Sequence, residues 1–199
     1  MKIDPSALDA EANYKLLTGI VVPRPIAWIS SLGSNEQINL APFSAFTFVS
    51  NQPPMLAVTI GRRLGALKDT ARNIANRREF VVNIANLDLL EALHSSGTEY
   101  PEEVSEVELL KLSTQASERV RCPRLAAAPV SMECVLHNII EFGVAKSQLV
   151  IGEILLFHIR DDLTENGKVD TQKLNPICRL GGPLYATLGK VFGMKEIAG

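Results

Sequence analysis

Cysteine is scarce in this chain: Cys122, Cys134 and Cys178 are the three in 199 residues, widely spaced and without CxxC or Cys/His clustering. That excludes a disulfide framework and a zinc site, and the thiols are read as reduced. His94, His137 and His158 share no helical face and give no metal-ligand spacing. A GxSxG elbow, an HExxH helix, an EF-hand loop and a paired-carboxylate constellation are all missing, which removes the common hydrolase signatures. GxxxxGK[ST] and GxGxxG are missing too, so neither a P-loop nor a Rossmann site is supported. No apolar run approaches the roughly 20 residues of a helical membrane span, and the opening MKIDPSALDAEANYKLL carries no apolar run of leader length. A cytoplasmic protein with no membrane role is the expectation. Charge of one sign is lacking as well: 20 Lys and Arg against 22 Asp and Glu leave a net −2, which argues against nucleic acid as a partner.

What is present suits one mainly β domain with flanking helices over residues 1–199. Hydrophobic residues at 46% and charged residues at 21% are those of a globular protein, and no shift in composition marks a linker. Residues 23–48 read as strand, turn, strand, yet Pro23, Pro25 and Pro42 remove ladder donors. Two readings fit. One is an edge strand with a bulge; the other is a strand whose freed backbone groups, beside Ile26, Ala27, Trp28 and Ile29, meet the edge of a flat heteroaromatic ligand. Phe43, Phe46 and Phe48 follow and suit a core, with a ligand wall or subunit interface as the other reading. Ahead of them, Asp4 or Ser6 is expected to cap a helix that runs to about Leu17, closes at Gly19 and covers one barrel end.

Residues 55–60 are almost wholly apolar, as in a strand buried on both faces. Thr59, Gly61, Arg62 and Arg63 stand at its end, and the next helix carries Lys68 and Thr70 in its first turn. Guanidinium groups, a glycine that admits backbone N–H and a helix terminus with unpaired donors are the parts of a phosphate site. A solvated basic surface is the competing reading. Residues 79–84 then read as a strand and Asn86 as the cap of a helix bearing Leu87, Leu90 and Leu93, with His94 at its end as a dipole partner. Residues 97–115 form an acidic surface excursion or lid. Residues 130–142 alternate as a long antiparallel strand that places Cys134 in the core as an inert thiol, with Glu133 and His137 on the polar face. Residues 149–160 are apolar on both faces, which suggests a subunit interface or a covered barrel. Arg179 and Gly181-Gly182 read as part of a site or as a tight turn, and residues 194–199 as a loose tail.

A candidate phosphate site and a candidate aromatic-ligand wall, without an acid–base constellation, are what a flavin mononucleotide requires. Hydride transfer from a nicotinamide rests on stacking and orientation more than on a side-chain acid. The motifs RPIAWISS, NLAPFSAF, TIGRR, KDTARNI, GEILLFHIRDD and RLGG with a following Tyr resemble the flavin reductase-like family of FMN-binding split β-barrels, in its flavoredoxin-like branch, over residues 14–185. The resemblance implies a homodimeric split β-barrel with FMN near the subunit interface, NADH or NADPH as co-substrate, and a small-molecule or protein electron acceptor. By motif position it implies that Trp28, Ile29, Ser30 and Ser31 line the isoalloxazine and that Asn39, Ala41 and Ser44 meet its polar edge or ribityl chain. It implies further that Thr59, Arg62, Lys68 and Thr70 hold the phosphate, and that Arg179 and Tyr185 reach the site or the partner subunit. An oxidoreductase of flavin reductase type is expected, with an FMN-binding electron carrier lacking its own nicotinamide reaction as the alternative. No Gly-Asp-Gly-His-like segment, of the kind associated with reductases that feed two-component monooxygenases, is present, which speaks against free-flavin supply to a hydroxylase.

Overall fold

The computed structural model describes residues 1–195, so the tail expected at 194–199 lies outside the described residues from 196 onward. Seven strands form the main sheet: β1 (Ala27–Leu32), β2 (Ile38–Phe43), β3 (Phe46–Asn51), β4 (Pro54–Ile60), β5 (Glu79–Ile84), β6 (Val130–Phe142) and β7 (Ser147–Ile159). Their spatial order is β2-β1-β5-β6-β7-β4-β3, with every pairing antiparallel. The outer strands β2 and β3 are consecutive in the chain, separated only by Ser44 and Ala45. The sheet therefore curls until its edges meet at that corner, giving the mainly β barrel with flanking helices that the sequence led us to expect.

Alternation along β1 decides where the core lies. Ala27 and Ile29 point into the barrel with Phe43, Val58, Phe80 and Val82, while Trp28 points outward. There it joins Ile26, Leu40, Ala85, Leu93 and Leu125 in a second core, covered by α3 (Leu90–Ser95) and α4 (Glu106–Leu109). All six residues of β1 are buried as a result. The edge-strand reading of this stretch holds in part: β1 lies inside the sheet between β2 and β5, whereas β2 is an edge strand and carries Pro42, where proline is tolerated, and the two pair in continuous register without a bulge. Arg24–Pro25 pairs separately with Cys178–Arg179, which pairs with Tyr185–Ala186 in a small three-stranded sheet.

Other expectations are adjusted by local bonding. Asp9 accepts from the Ala12 N–H at 2.7 Å and starts α1 (Ala10–Ile20). The helix runs past Leu17 and takes in Gly19, because the Val21 N–H closes on the Leu17 carbonyl at 2.9 Å. It buries no residue and leaves Tyr14, Leu17 and Ile20 exposed, so it does not cover the barrel of its own chain. Asn86 makes no capping bond; its amide donates to Asp88 at 3.1 Å ahead of a 3-10 turn, Leu87–Leu89, that leads into α3. The phenylalanines divide: Phe43 is core, whereas Phe48 on edge strand β3 is 80% exposed. No helix among the described residues is long and apolar enough to cross a membrane.

Candidate functional site

Helix α2 (Asp69–Arg77) begins beside β2, and a cavity of about 270 Å³ opens where it begins. Asn39 and Ala41 of β2 form one wall, residues 63–70 a second, and residues 96–100 with Glu106 the third. Ala71 and Ile74 pack into the barrel core and so fix the helix with its N-terminus at the rim. The N-cap residue is Lys68, whose side chain makes no capping hydrogen bond, and Asp69 is tied to Arg72 at 2.6 Å. The helix end therefore offers first-turn N–H groups, the positive pole of its dipole and an ammonium with no carboxylate partner among the described residues. Asn39 Nδ2 donates to Thr70 Oγ1 at 2.9 Å, which leaves the threonine hydroxyl proton for another acceptor.

The two adjacent arginines diverge. Arg63 lines the cavity and pairs with Glu99 at 2.7 Å. Arg62 turns toward β6, pairs with Glu141 at 2.5 Å and donates to the Lys146 carbonyl at 3.0 Å. The Arg62 guanidinium holds the Glu141 carboxyl below the usual carboxylate range. Glu106 behaves oppositely: burial pushes its carboxyl up, against the bond it accepts from the Leu40 N–H at 2.8 Å. A carboxyl that resists ionisation thus sits in the cavity wall.

A second cavity, of about 450 Å³, adjoins the first through shared Pro42, Gly97 and Thr98. Arg24, Ser44, His94, Arg179 and Tyr185 are among the polar residues that line it. Arg179 donates to the Tyr185 hydroxyl and, at 2.7 Å, to the Gly182 carbonyl, with its guanidinium 4.5 Å from the centre of the Tyr185 ring. His94 Nδ1 lies 3.0 Å from the same hydroxyl, so this imidazole is joined to a side chain in addition to its place in the last turn of α3.

Of the residues expected to hold a flavin, Asn39, Ala41, Lys68 and Thr70 line the first cavity and Ser44 the second. Ser31 stands one layer behind, its hydroxyl accepting from Asn39 and Asn73, each at 3.3 Å. Trp28, Ile29 and Ser30 lie within the sheet. Trp28 is fully buried and donates Nε1 to Ser96 Oγ at 2.8 Å, Ile29 is in the barrel core, and Ser30 donates to the Pro123 carbonyl at 2.8 Å. Thr59, opposite Leu149 in the β4–β7 ladder, and Arg62 line neither cavity. Arg24, Ser96, Thr98 and Glu106 were not singled out from sequence. Arg24 carried a signal, an arginine set between two prolines, whereas Glu106 is one of several acids in the 97–115 excursion with no spacing to mark it.

The family model described as Flavin reductase like domain matches residues 19–184. An uncharacterized protein of Aquifex aeolicus is 40% identical over 187 residues, 93% of each chain. Among solved structures, nitrilotriacetate monooxygenase component B from Bacillus cereus superposes with a TM-score of 0.95 at 37% identity, covering 98% of both chains. The 2-nitrobenzoate 2-nitroreductase of Pseudomonas fluorescens does so with a TM-score of 0.90 at 32% identity, covering 98% of this chain and 96% of its own.

Proposed function

The chain belongs to the flavin reductase-like family, and from that premise we propose that it is an FMN-dependent oxidoreductase using NADH or NADPH to reduce an electron acceptor. The observation that carries this reading is the uncapped N-terminus of α2, with Lys68 and Thr70, opening into a cavity whose donors suit a phosphate monoester. Lys68 supplies the neutralising charge, the first-turn N–H groups and the Thr70 hydroxyl bond the phosphate oxygens, and Asn39 orients Thr70. Arg63 joins them by exchanging Glu99 for phosphate. Trp28 stands behind the wall as structural support, its Nε1 bonded to the Ser96 hydroxyl, which in turn donates to the Leu93 carbonyl. Bound FMN would supply the hydride acceptor and electron donor chemistry that no side-chain constellation here provides.

The acceptor is a small molecule, a free flavin or a protein. The missing Gly-Asp-Gly-His-like segment speaks against a hydroxylase, yet a structure 37% identical carries the name of a monooxygenase component, so a hydroxylase belongs among the acceptors to be assayed. A homodimer is part of the proposal. Phe48 and Val49 on edge strand β3, with Phe142 and Phe157 on the β6–β7 hairpin, are exposed apolar groups suited to a second copy. Light scattering that returns a monomer would remove this part.

The deciding measurement is the visible spectrum of FMN-reconstituted protein under anaerobic conditions before and after NADH, then NADPH. Flavin bands that bleach with either nucleotide support the reductase. Bands that persist until a chemical reductant is added support the electron carrier instead, and failure to retain flavin overturns both.

A further inference from the structure

The second cavity is cationic with nothing to balance it. Arg24 and Arg179 face it, His94 stands at its edge, and no Asp or Glu lines it. The first cavity differs, setting Asp69, Glu99 and Glu106 against Arg63 and Lys68. Among the described residues neither Arg24 nor Arg179 has a carboxylate partner; their bonds go to neutral oxygens. Arg24 is used structurally, tying the Thr18, Val21 and Leu180 carbonyls together. Arg179 donates to Gly182 through Nε and one terminal nitrogen and to the Tyr185 hydroxyl through the other. A guanidinium carries five N–H donors, so two of those on Arg179 remain for a ligand. Ile26, Pro42, Leu180 and the Tyr185 ring supply apolar surface beside them, enough for a flat organic group.

We propose that this cavity binds the second reactant of the flavin reaction through an oxyanion on a flat organic molecule, with Arg179 as its ligand and the charge of Arg24 behind it. The assignment of the bound molecule as a reactant rests on the FMN reading above. The oxyanion itself, carboxylate or phosphate, is recognised by charge and by the free edge of a guanidinium held against Tyr185.

Calorimetric titration of the FMN-loaded protein with benzoate, nicotinamide mononucleotide and neutral benzamide tests this, with flavin content read from visible absorbance in the same samples. Benzoate or the mononucleotide is expected to bind at least tenfold more tightly than benzamide. Which of the two binds separates a carboxylate from a phosphate source. Arg179→Gln is expected to lose at least tenfold in that affinity, and Arg179→Lys to recover part of it, both with flavin retained. Benzamide binding as well as either anion, or unchanged anion affinity in Arg179→Gln, overturns the proposal. Loss of flavin from a folded Arg179→Gln also overturns it, since the arginine would then belong to the cofactor. If the wild type itself retains no flavin, the FMN reading fails, while anion binding and its loss in Arg179→Gln still decide the cavity.

Discussion

His158 Nε2 on β7 lies 2.5 Å from the Glu133 carboxylate on β6, and the same carboxylate accepts from the N–H groups of Glu118, Arg119 and Val120 at 2.8, 2.6 and 3.1 Å. Glu133 is fully buried, although it lies on the polar face of its strand. Burial pushes its carboxyl up, but the bond from His158 and the three backbone donors together outweigh it and hold it below the ordinary range. One side chain thereby pins the loop that covers this side of the sheet.

Replacing it should show as stability. Glu133→Gln is expected to lose about 2–4 kcal/mol in urea unfolding at pH 7, because a carboxamide turns a donor toward donors already in place. The carboxylate's folded value is depressed, so its contribution is fully present above the unfolded value of about 4.3 and is lost as pH falls through the lower folded value. The stability gap between wild type and Glu133→Gln should narrow from pH 5 toward pH 3. A gap constant over that range would mean that the carboxylate's charge is not what holds the loop.

The divergence of Arg62 and Arg63 gives a test of the phosphate assignment. Lys68→Ala is expected to weaken FMN binding by about 1.5–3 kcal/mol, the worth of a charge-assisted bond. Arg62→Ala should change it less than about threefold, roughly half a kcal/mol, because that guanidinium is committed to Glu141. Equal losses by fluorescence titration would place Arg62 at the ligand.

These two cases mark how far the sequence could be read. Residues 55–60, 79–84 and 130–142 declare themselves as strands because burial leaves a local pattern, and the KDT start of α2 is legible because helix-end chemistry involves neighbours in sequence. Which arginine turns inward was not legible. The chain leaves β4 at Ile60 and reverses through Leu64 and Gly65, at φ 46° and 82°, so strand alternation no longer dictates direction. The burial of Trp28 and Glu133 was hidden for a related reason: α3, α4 and residues 113–125 cover them from far along the chain, and a backbone N–H leaves no mark in the side-chain pattern.

Trp28 separates support from contact. Trp28→Phe keeps most of the buried ring but removes the bond to Ser96, with an expected loss of about 1–2 kcal/mol in thermal unfolding. Trp28→Ala should cost about 3–5 kcal/mol. FMN affinity in Trp28→Phe is expected within about threefold of wild type, since the indole lines neither cavity. A large loss of affinity with unchanged stability would bring the ring to the flavin.

Gly152 tests the packing that shapes the barrel. It lies at an irregularity in β7, opposite Leu56 and Leu136, and a Cβ there would stand 2.5 Å from Phe80 Cζ and 2.9 Å from Cε1. Phe80 is fully buried in the barrel core and has no open side toward which to move. Gly152→Ala is therefore expected to destabilise by about 1–3 kcal/mol through overpacking. Phe80→Leu alone should also destabilise, by removing buried ring atoms. The double variant should lose less than the sum of the two, because the shorter side chain vacates the space that the new methyl needs. Chemical denaturation of the four proteins measures the coupling. Strict additivity would mean that something other than contact with Phe80 keeps this position glycine.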